Sequence, residues 1–211
     1  MIFTYTLLNT WEICPHQCAR RYIIKDLPFE KTPTMEEGTR VHKAMEERIR
    51  RKIPLPADLQ KHEPLVAPLD KVHCRPETKL GVNKAGRPVD FFAPDVWFRG
   101  VVDAPFNMAT DTCILLDWKN GKKREDPFEL ATGAVLIQAH EPILEKLYGQ
   151  YVWLQEGKRG KLHNVSDTAR TWRIVQTLAA EIEAGGYEKT PGPLCRWCPV
   201  KDCEHNRAQG V

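Results

Sequence analysis

Apolar positions recur at helical spacing in four stretches of the chain. Over residues 6–14, Leu7, Leu8 and Trp11 share one face, with Thr6 placed to cap the first turn. A longer helix is predicted from about 35 to 52, where Thr34 and Glu37 stand at capping-box spacing and Pro54 closes it. A third runs over about 127–139 before Pro142, and a fourth over about 167–184, ended by Gly185-Gly186. Between the first two and the last two helices the period changes to two. Residues 78–83 and 89–92 flank Lys84-Ala85-Gly86-Arg87 as a hairpin, while 96–108 and 112–119 are β-rich runs joined by Ala109-Thr110-Asp111. Further strands are expected at 148–155 and 161–165, and residues 53–76, with five prolines, read as irregular. The order specifies a mixed α/β class with a strand-rich centre.

With 211 residues, 42% of them hydrophobic, the chain is long enough for one domain with a substantial core. Its net charge of +3 permits a nucleic-acid partner without demanding one. No apolar run approaches the roughly 20 residues of a membrane helix, and MIFTYTLLNTWEIC lacks the pattern of a signal peptide. The expectation is a soluble, cytoplasmic protein with no membrane partner. Seven cysteines, five of them clustered as Cys14, Cys18, Cys195, Cys198 and Cys203, point to metal ligation in a reducing compartment.

The most informative stretch is Gly100-Val-Val-Asp103 followed by Leu115-Leu-Asp117-Trp118-Lys119. Each aspartate follows an apolar β run, so adjacent antiparallel strands can bring the two carboxylates to one end of a sheet. Carboxylates so close repel one another, and a hard divalent cation such as Mg²⁺ relieves the repulsion through oxygen ligation. Lys119 shares a face with Asp117, where its ammonium can position a water and stabilise charge on a phosphoryl oxygen. Either aspartate alone could simply begin a turn. On the predicted 35–52 helix, His42 and Glu46 share a face at i, i+4, so Glu46 can orient the ring or a water.

In this order, Gly38-x₃-His42-x₃-Glu46, Gly100-x₂-Asp103 and Asp117-x-Lys119 resemble the RecB-like branch of the PD-(D/E)xK nuclease superfamily. The opening Cys14-Pro15-x₂-Cys18-x-Arg20-Arg21-Tyr22 is similar to that family's start, with Cys18 at an aromatic position. The resemblance implies a restriction-endonuclease-like core, a central mixed sheet flanked by helices, as a single nuclease domain over 1–211. It implies His42, Asp103, Asp117 and the Trp118 carbonyl as ligands of catalytic Mg²⁺ or Mn²⁺, with Lys119 orienting the attacking water. Glu77 matches an acidic position of the preceding strand. Where the family carries a Q-x₃-Y helix this chain reads Glu129-x₃-Gly133, so both named positions differ and substrate grip departs from the pattern; Gln138 lies further along.

Cys195-x₂-Cys198-x₄-Cys203 needs a fourth ligand to close a tetrahedral zinc or iron–sulfur site. Zinc would take His205. The resemblance to CRISPR-adaptation and AddB-type nuclease domains implies instead a [4Fe–4S] cluster on Cys14, Cys195, Cys198 and Cys203, stapling 1–30 to 185–205. Basic runs at Arg20-Arg21 and at Lys122, Lys123 and Arg124 are expected DNA contacts. The implied function is a metal-dependent DNA exonuclease acting on ends or single strands in recombination, repair or phage DNA metabolism. The cell would be bacterial, archaeal or phage-infected. No helicase P-loop is present in these 211 residues, so unwinding would fall to a helicase or recombination partner. A non-catalytic DNA-binding subunit and a site-specific endonuclease of the same fold are the rivals.

Overall fold

A computed structural model describes residues 1–121 and 123–206. Its internal contacts divide it into two compact units: Met1–Ile2 with Thr32–Trp172, and Phe3–Lys31 with Arg173 onward. The second unit is therefore drawn from both ends of the chain.

The first unit opens with α3 (Pro33–Arg51). Thr32, not Thr34, caps it: its side chain accepts from the Met35 N–H, and Pro33 follows at the first helical turn. Glu37 pairs with Arg40 at 2.7 Å instead of reaching back to the cap. The proline-rich stretch after α3 is a chain of single helical turns, including α4 (Glu63–Val66), in which prolines begin turns rather than break them. These turns bury Leu55, Leu59, Val66 and Leu69 with Val41, Met45 and Ile49 of α3.

Two sheets follow. The strands β1 (Thr78–Val82), β2 (Pro88–Val89) and β3 (Phe98–Val102) form an antiparallel set in the order β2-β1-β3. A four-stranded mixed sheet takes β4 (Ala104–Ala109), β5 (Thr112–Lys119), β6 (Lys146–Trp153) and β7 (Lys158–Asn164) in sequence order, with only β5 and β6 parallel. The single run expected over 96–108 is two strands, because the chain leaves one sheet for the other at Asp103.

The crossover from β5 to the parallel β6 is α5 (Pro127–His140), capped by the Asp126 side chain on the Phe128 N–H. Buried on several sides, α5 packs so closely that a Cβ on Gly133 would lie 3.2 Å from Leu115 and 3.5 Å from Val102. On the other face of the mixed sheet, Ala104, Phe106, Leu116, Trp118 and Val152 join the buried cluster of α3. A mixed sheet flanked by helices is the restriction-endonuclease-like arrangement.

In the second unit, α1 (Tyr5–Ile13) is capped by Thr4, whose hydroxyl accepts from Leu7 N–H at 3.2 Å; Thr6 lies inside the helix. The short α2 (Pro15–Cys18) continues into a π-helical turn over Ala19–Ile24. The division of the chain falls within α6 (Thr168–Ala184), whose later residues Val175, Ala179 and Ile182 are buried. Trp11 donates to Glu181 at 3.2 Å and meets Tyr187 edge-on, while Arg20 reaches Asp202 at 3.0 Å. Among the described residues no helix is long and apolar enough to cross a membrane.

Candidate metal centre and cysteine cavity

Strand register builds the acidic site. Ala104 pairs with Leu116, so Asp103 and Asp117 stand one step beyond, at the end of the hairpin remote from its turn. The Asp103 carboxylate accepts the Trp118 N–H at 2.9 Å, which fixes it against β5. From α3, His42 is half-buried with Nε2 2.9 Å from the Trp118 carbonyl and Nδ1 3.4 Å from both Asp103 and Glu77. Ligand atoms of His42, Glu77 and Asp103 all lie within 4.8 Å of one another. Burial works against charge on the ring, but Asp103 and Glu77 outweigh it and push the His42 pKa up to about 11. Both ring nitrogens then carry protons, which suits two acceptor sets on opposite sides.

Asp117 is close enough to Asp103 to feel its charge, and it also meets Lys119. Lys119 Nζ lies 2.8 Å from the Asp117 Oδ2 and 3.0 Å from Glu129. Burial, then the charge of Asp103, raises the Asp117 carboxyl well above the usual range against the pull of Lys119. Burial opposes the Lys119 charge too, yet Asp117 and Glu129 more than offset it and hold the ammonium. Four carboxylates thus face two cations, His42 and Lys119. That imbalance of two negative charges, beside the His42–Glu77–Asp103 donor set of one nitrogen and carboxylate oxygens, fits a divalent cation.

Tyr151 was not legible as a site residue. It sits directly across the parallel ladder from Asp117, with its hydroxyl 2.6 Å from the Asp126 carbonyl and 3.1 Å from Glu129. Lys119 Nζ lies 5.4 Å from its ring centre. A Cβ at position 133 would already press on Leu115 at 3.2 Å, and the phenol that stands beside Lys119 comes from β6. Gln138 is no substitute for the missing glutamine, since its amide serves the Leu144 carbonyl and the Thr168 hydroxyl.

Glu46 does not orient His42. It pairs with Arg50 at 3.0 Å, and the ring takes its bearing from Trp118, Asp103 and Glu77. Glu46 nonetheless lines, with Gly38, His42, Glu77 and Lys119, an open groove of about 730 Å³. Nothing lies within 4 Å of where a Gly38 Cβ would be, so this glycine leaves the groove wide.

Of the basic residues expected at DNA, Arg20 is engaged by Asp26 at 2.8 Å and by Asp202, and Arg21 lies over Phe29. Lys123 approaches the Trp153 ring at 6.0 Å, Arg124 is exposed, and Lys122 lies outside the described residues.

Within the second unit, Cys14, Cys195, Cys198 and Cys203 line one cavity of about 170 Å³, together with His16 and His205. Cys18 does not: it is buried with its thiol directed at the Leu7 carbonyl, and burial lifts its pKa to about 11. Burial also raises the Cys198 thiol, and Cys14, Cys195 and Cys203 add to that rise by their proximity. Among the described residues, no three cysteine or histidine ligand atoms of this cavity lie within 4.8 Å of one another. Zinc bonds of about 2.3 Å place four thiolates roughly 4 Å apart.

The crystal structure of SSO0001 superposes with a TM-score of 0.55 at 15% sequence identity, covering 97% of this chain and 86% of the other. That likeness supports the fold. No curated protein sequence matches the chain. Residues 74–203, which contain Glu77, Asp103, Asp117, Lys119, Glu129 and Tyr151, match the family model of the PD-(D/E)XK nuclease superfamily. The chain, with its acidic centre set on β5 and the β3–β4 junction, belongs to the PD-(D/E)XK nuclease superfamily.

Proposed function

We propose that this nuclease is a Mg²⁺- or Mn²⁺-dependent deoxyribonuclease that degrades DNA from ends or along single strands. The observation that carries the reading is the convergence of His42, Glu77, Asp103, Asp117 and Lys119 beside an open groove, with more negative charge than the protein itself balances. Asp103 and Asp117 would hold the cation with His42, Glu77 and the Trp118 carbonyl. When bound, a divalent cation lowers the pKa of water and neutralises phosphoryl oxygens.

The chain's own residues supply the rest. Asp117 and Glu129 keep Lys119 charged, so Lys119 acts as a donor that orients water and the phosphoryl group, not as a base. Tyr151 and the Asp126 loop position Glu129. His42 must release a proton before its ring can ligate a metal.

The cavity of Cys14, Cys195, Cys198 and Cys203 would hold a [4Fe–4S] cluster, joining segments about 180 residues apart so that the whole chain works as one nuclease domain. Zinc on three cysteines and His205 is the alternative, because His205 lines the same cavity. Recombination, repair or phage DNA metabolism, with unwinding by a partner helicase, is the setting we assign.

End-labelled linear DNA and covalently closed circular DNA, single- and double-stranded, separate the modes. Metal-dependent shortening of linear strands with circles left intact is expected. Cleavage of circles at fixed positions would establish the endonuclease, and no cleavage of any form would favour the binding subunit.

A further inference from the structure

The outward face of the three-stranded sheet carries an aromatic and cationic patch outside the hydrolytic site. Phe91 and Phe92 follow β2 and meet edge to face, with ring centres 4.9 Å apart. Phe92 is 76% exposed, a costly position for a large apolar ring. Two cations flank the pair. The Arg99 guanidinium lies 4.6 Å from the Phe91 centre and 5.6 Å from that of Phe92, and Lys79 Nζ lies 6.0 Å from each. Arg99 also donates to the Phe91 carbonyl at 3.1 Å, and neither cation pairs with a carboxylate among the described residues. Exposed Val101, opposite Lys79 in the ladder, completes the apolar surface.

The sequence seats this patch deliberately. A Cβ on Gly81 would lie 2.8 Å from Val96 and 3.2 Å from the Asp90 carbonyl, so only glycine lets the segment after β2 close onto the sheet. Along β1, Lys79 is two residues from Glu77; along β3, Arg99 is four from Asp103. At about 3.3 Å per residue the Lys79 and Arg99 backbones lie within roughly 7–13 Å of those of Glu77 and Asp103, a span of about four stacked nucleotides at 3.4 Å each.

We propose that Phe91, Phe92, Lys79 and Arg99 form a stacking platform for an unpaired DNA strand that enters the hydrolytic site. This rests on the nuclease reading and gives its single-strand substrate a binding surface. Aromatic faces recognise bases of any sequence only when those bases are unpaired, and flanking cations take the adjoining phosphates. Exposed Asp90 and Asp95 lie on the same segment, so the patch is not strongly cationic overall and stacking supplies most of the recognition.

Fluorescence anisotropy of a labelled oligothymidine in metal-free buffer, where no cleavage occurs, tests the platform directly. Phe92→Ala should weaken binding about tenfold and Phe92→Trp should restore it, as expected for one lost and regained base stack. Because Phe92 is exposed, Phe92→Ala should melt like the wild type. With metal added, KM for single strands should rise while kcat holds. Unchanged affinity in Phe92→Ala, with the wild type cleaving DNA, would overturn the platform and leave the nuclease standing. Phe92-dependent binding without cleavage would do the reverse. Failure of the wild type to bind oligothymidine would overturn the platform.

Discussion

The acidic centre and the cysteine cavity differ in what holds their donors apart. In the first, every donor sits on or beside regular structure and is tied down without a metal: Asp103 by the Trp118 N–H, His42 by the Trp118 carbonyl, Lys119 between Asp117 and Glu129. The excess negative charge is lessened meanwhile by a proton on His42 and by the raised affinity of Asp117 for one. The thiols have little of this support. Cys195 accepts one N–H from Gly192, Cys198 contacts Gln17, and the tail between them is a single 3₁₀ turn. A preorganised oxygen site can exchange its cation as a catalyst must, whereas a loop of thiols gains its geometry from whatever it binds.

That contrast is sharpest in stability. Cys198→Ser should remove the tail's metal, lowering iron and sulfide content together. A cluster held by Cys14 and Cys195, as proposed, would close about 180 residues, so its loss should cost roughly 5 kcal/mol and about 10–20 °C in Tm. An unshifted melt would mean that the second unit folds without the cluster. At the acidic centre, Glu129→Gln should leave the fold intact but reduce kcat about 10–100-fold, by releasing one of the two carboxylates that position Lys119. Tyr151→Phe should do so more weakly, since Glu129 keeps Lys119.

The two donor sets also part in pH dependence. The folded pKa of His42, about 11, exceeds its unfolded value near 6.5. Its contribution to metal-free stability is therefore fully present below about pH 6.5 and is lost as pH rises to 11. Metal binding must displace that proton, so Mn²⁺ affinity should rise by up to about tenfold per pH unit across pH 6.5–9. His42→Gln should flatten the slope, which calorimetry in buffers of different ionisation enthalpy would detect. The smallest effect is expected at a helix end: Thr32→Ala should cost about 1 kcal/mol through loss of the α3 cap.

Much of the acidic centre was legible because its residues ride on periodic elements. Asp103, Asp117 and Lys119 end or follow alternating strands, so their spacing brought them out, while His42, mid-helix, gained its role from the ordered set of motifs. Glu77 was weaker because it precedes β1 with φ of 52°, a left-handed residue that no periodicity marks. Tyr151 was invisible for another reason: it meets Asp117 only through the parallel β5–β6 ladder, and no local signal announces which strands pair. The break at Asp103 was hidden because both halves of 96–108 are apolar and β-prone, although they join different sheets. Cap positions slipped by two residues where Pro33 took the first turn of α3 and where Thr4, not Thr6, caps α1.

The central claim is that the acidic centre hydrolyses phosphodiesters with a divalent cation that the chain itself binds. The direct test is cleavage of end-labelled DNA by chelator-treated protein before and after addition of Mg²⁺ or Mn²⁺, with Asp117→Ala alongside. Cleavage restored by either cation in the wild type, and lowered by at least roughly 10³-fold in Asp117→Ala while DNA binding persists, is the predicted result. Cleavage that survives in Asp117→Ala, or none in wild-type protein with its cysteine site intact, would contradict it.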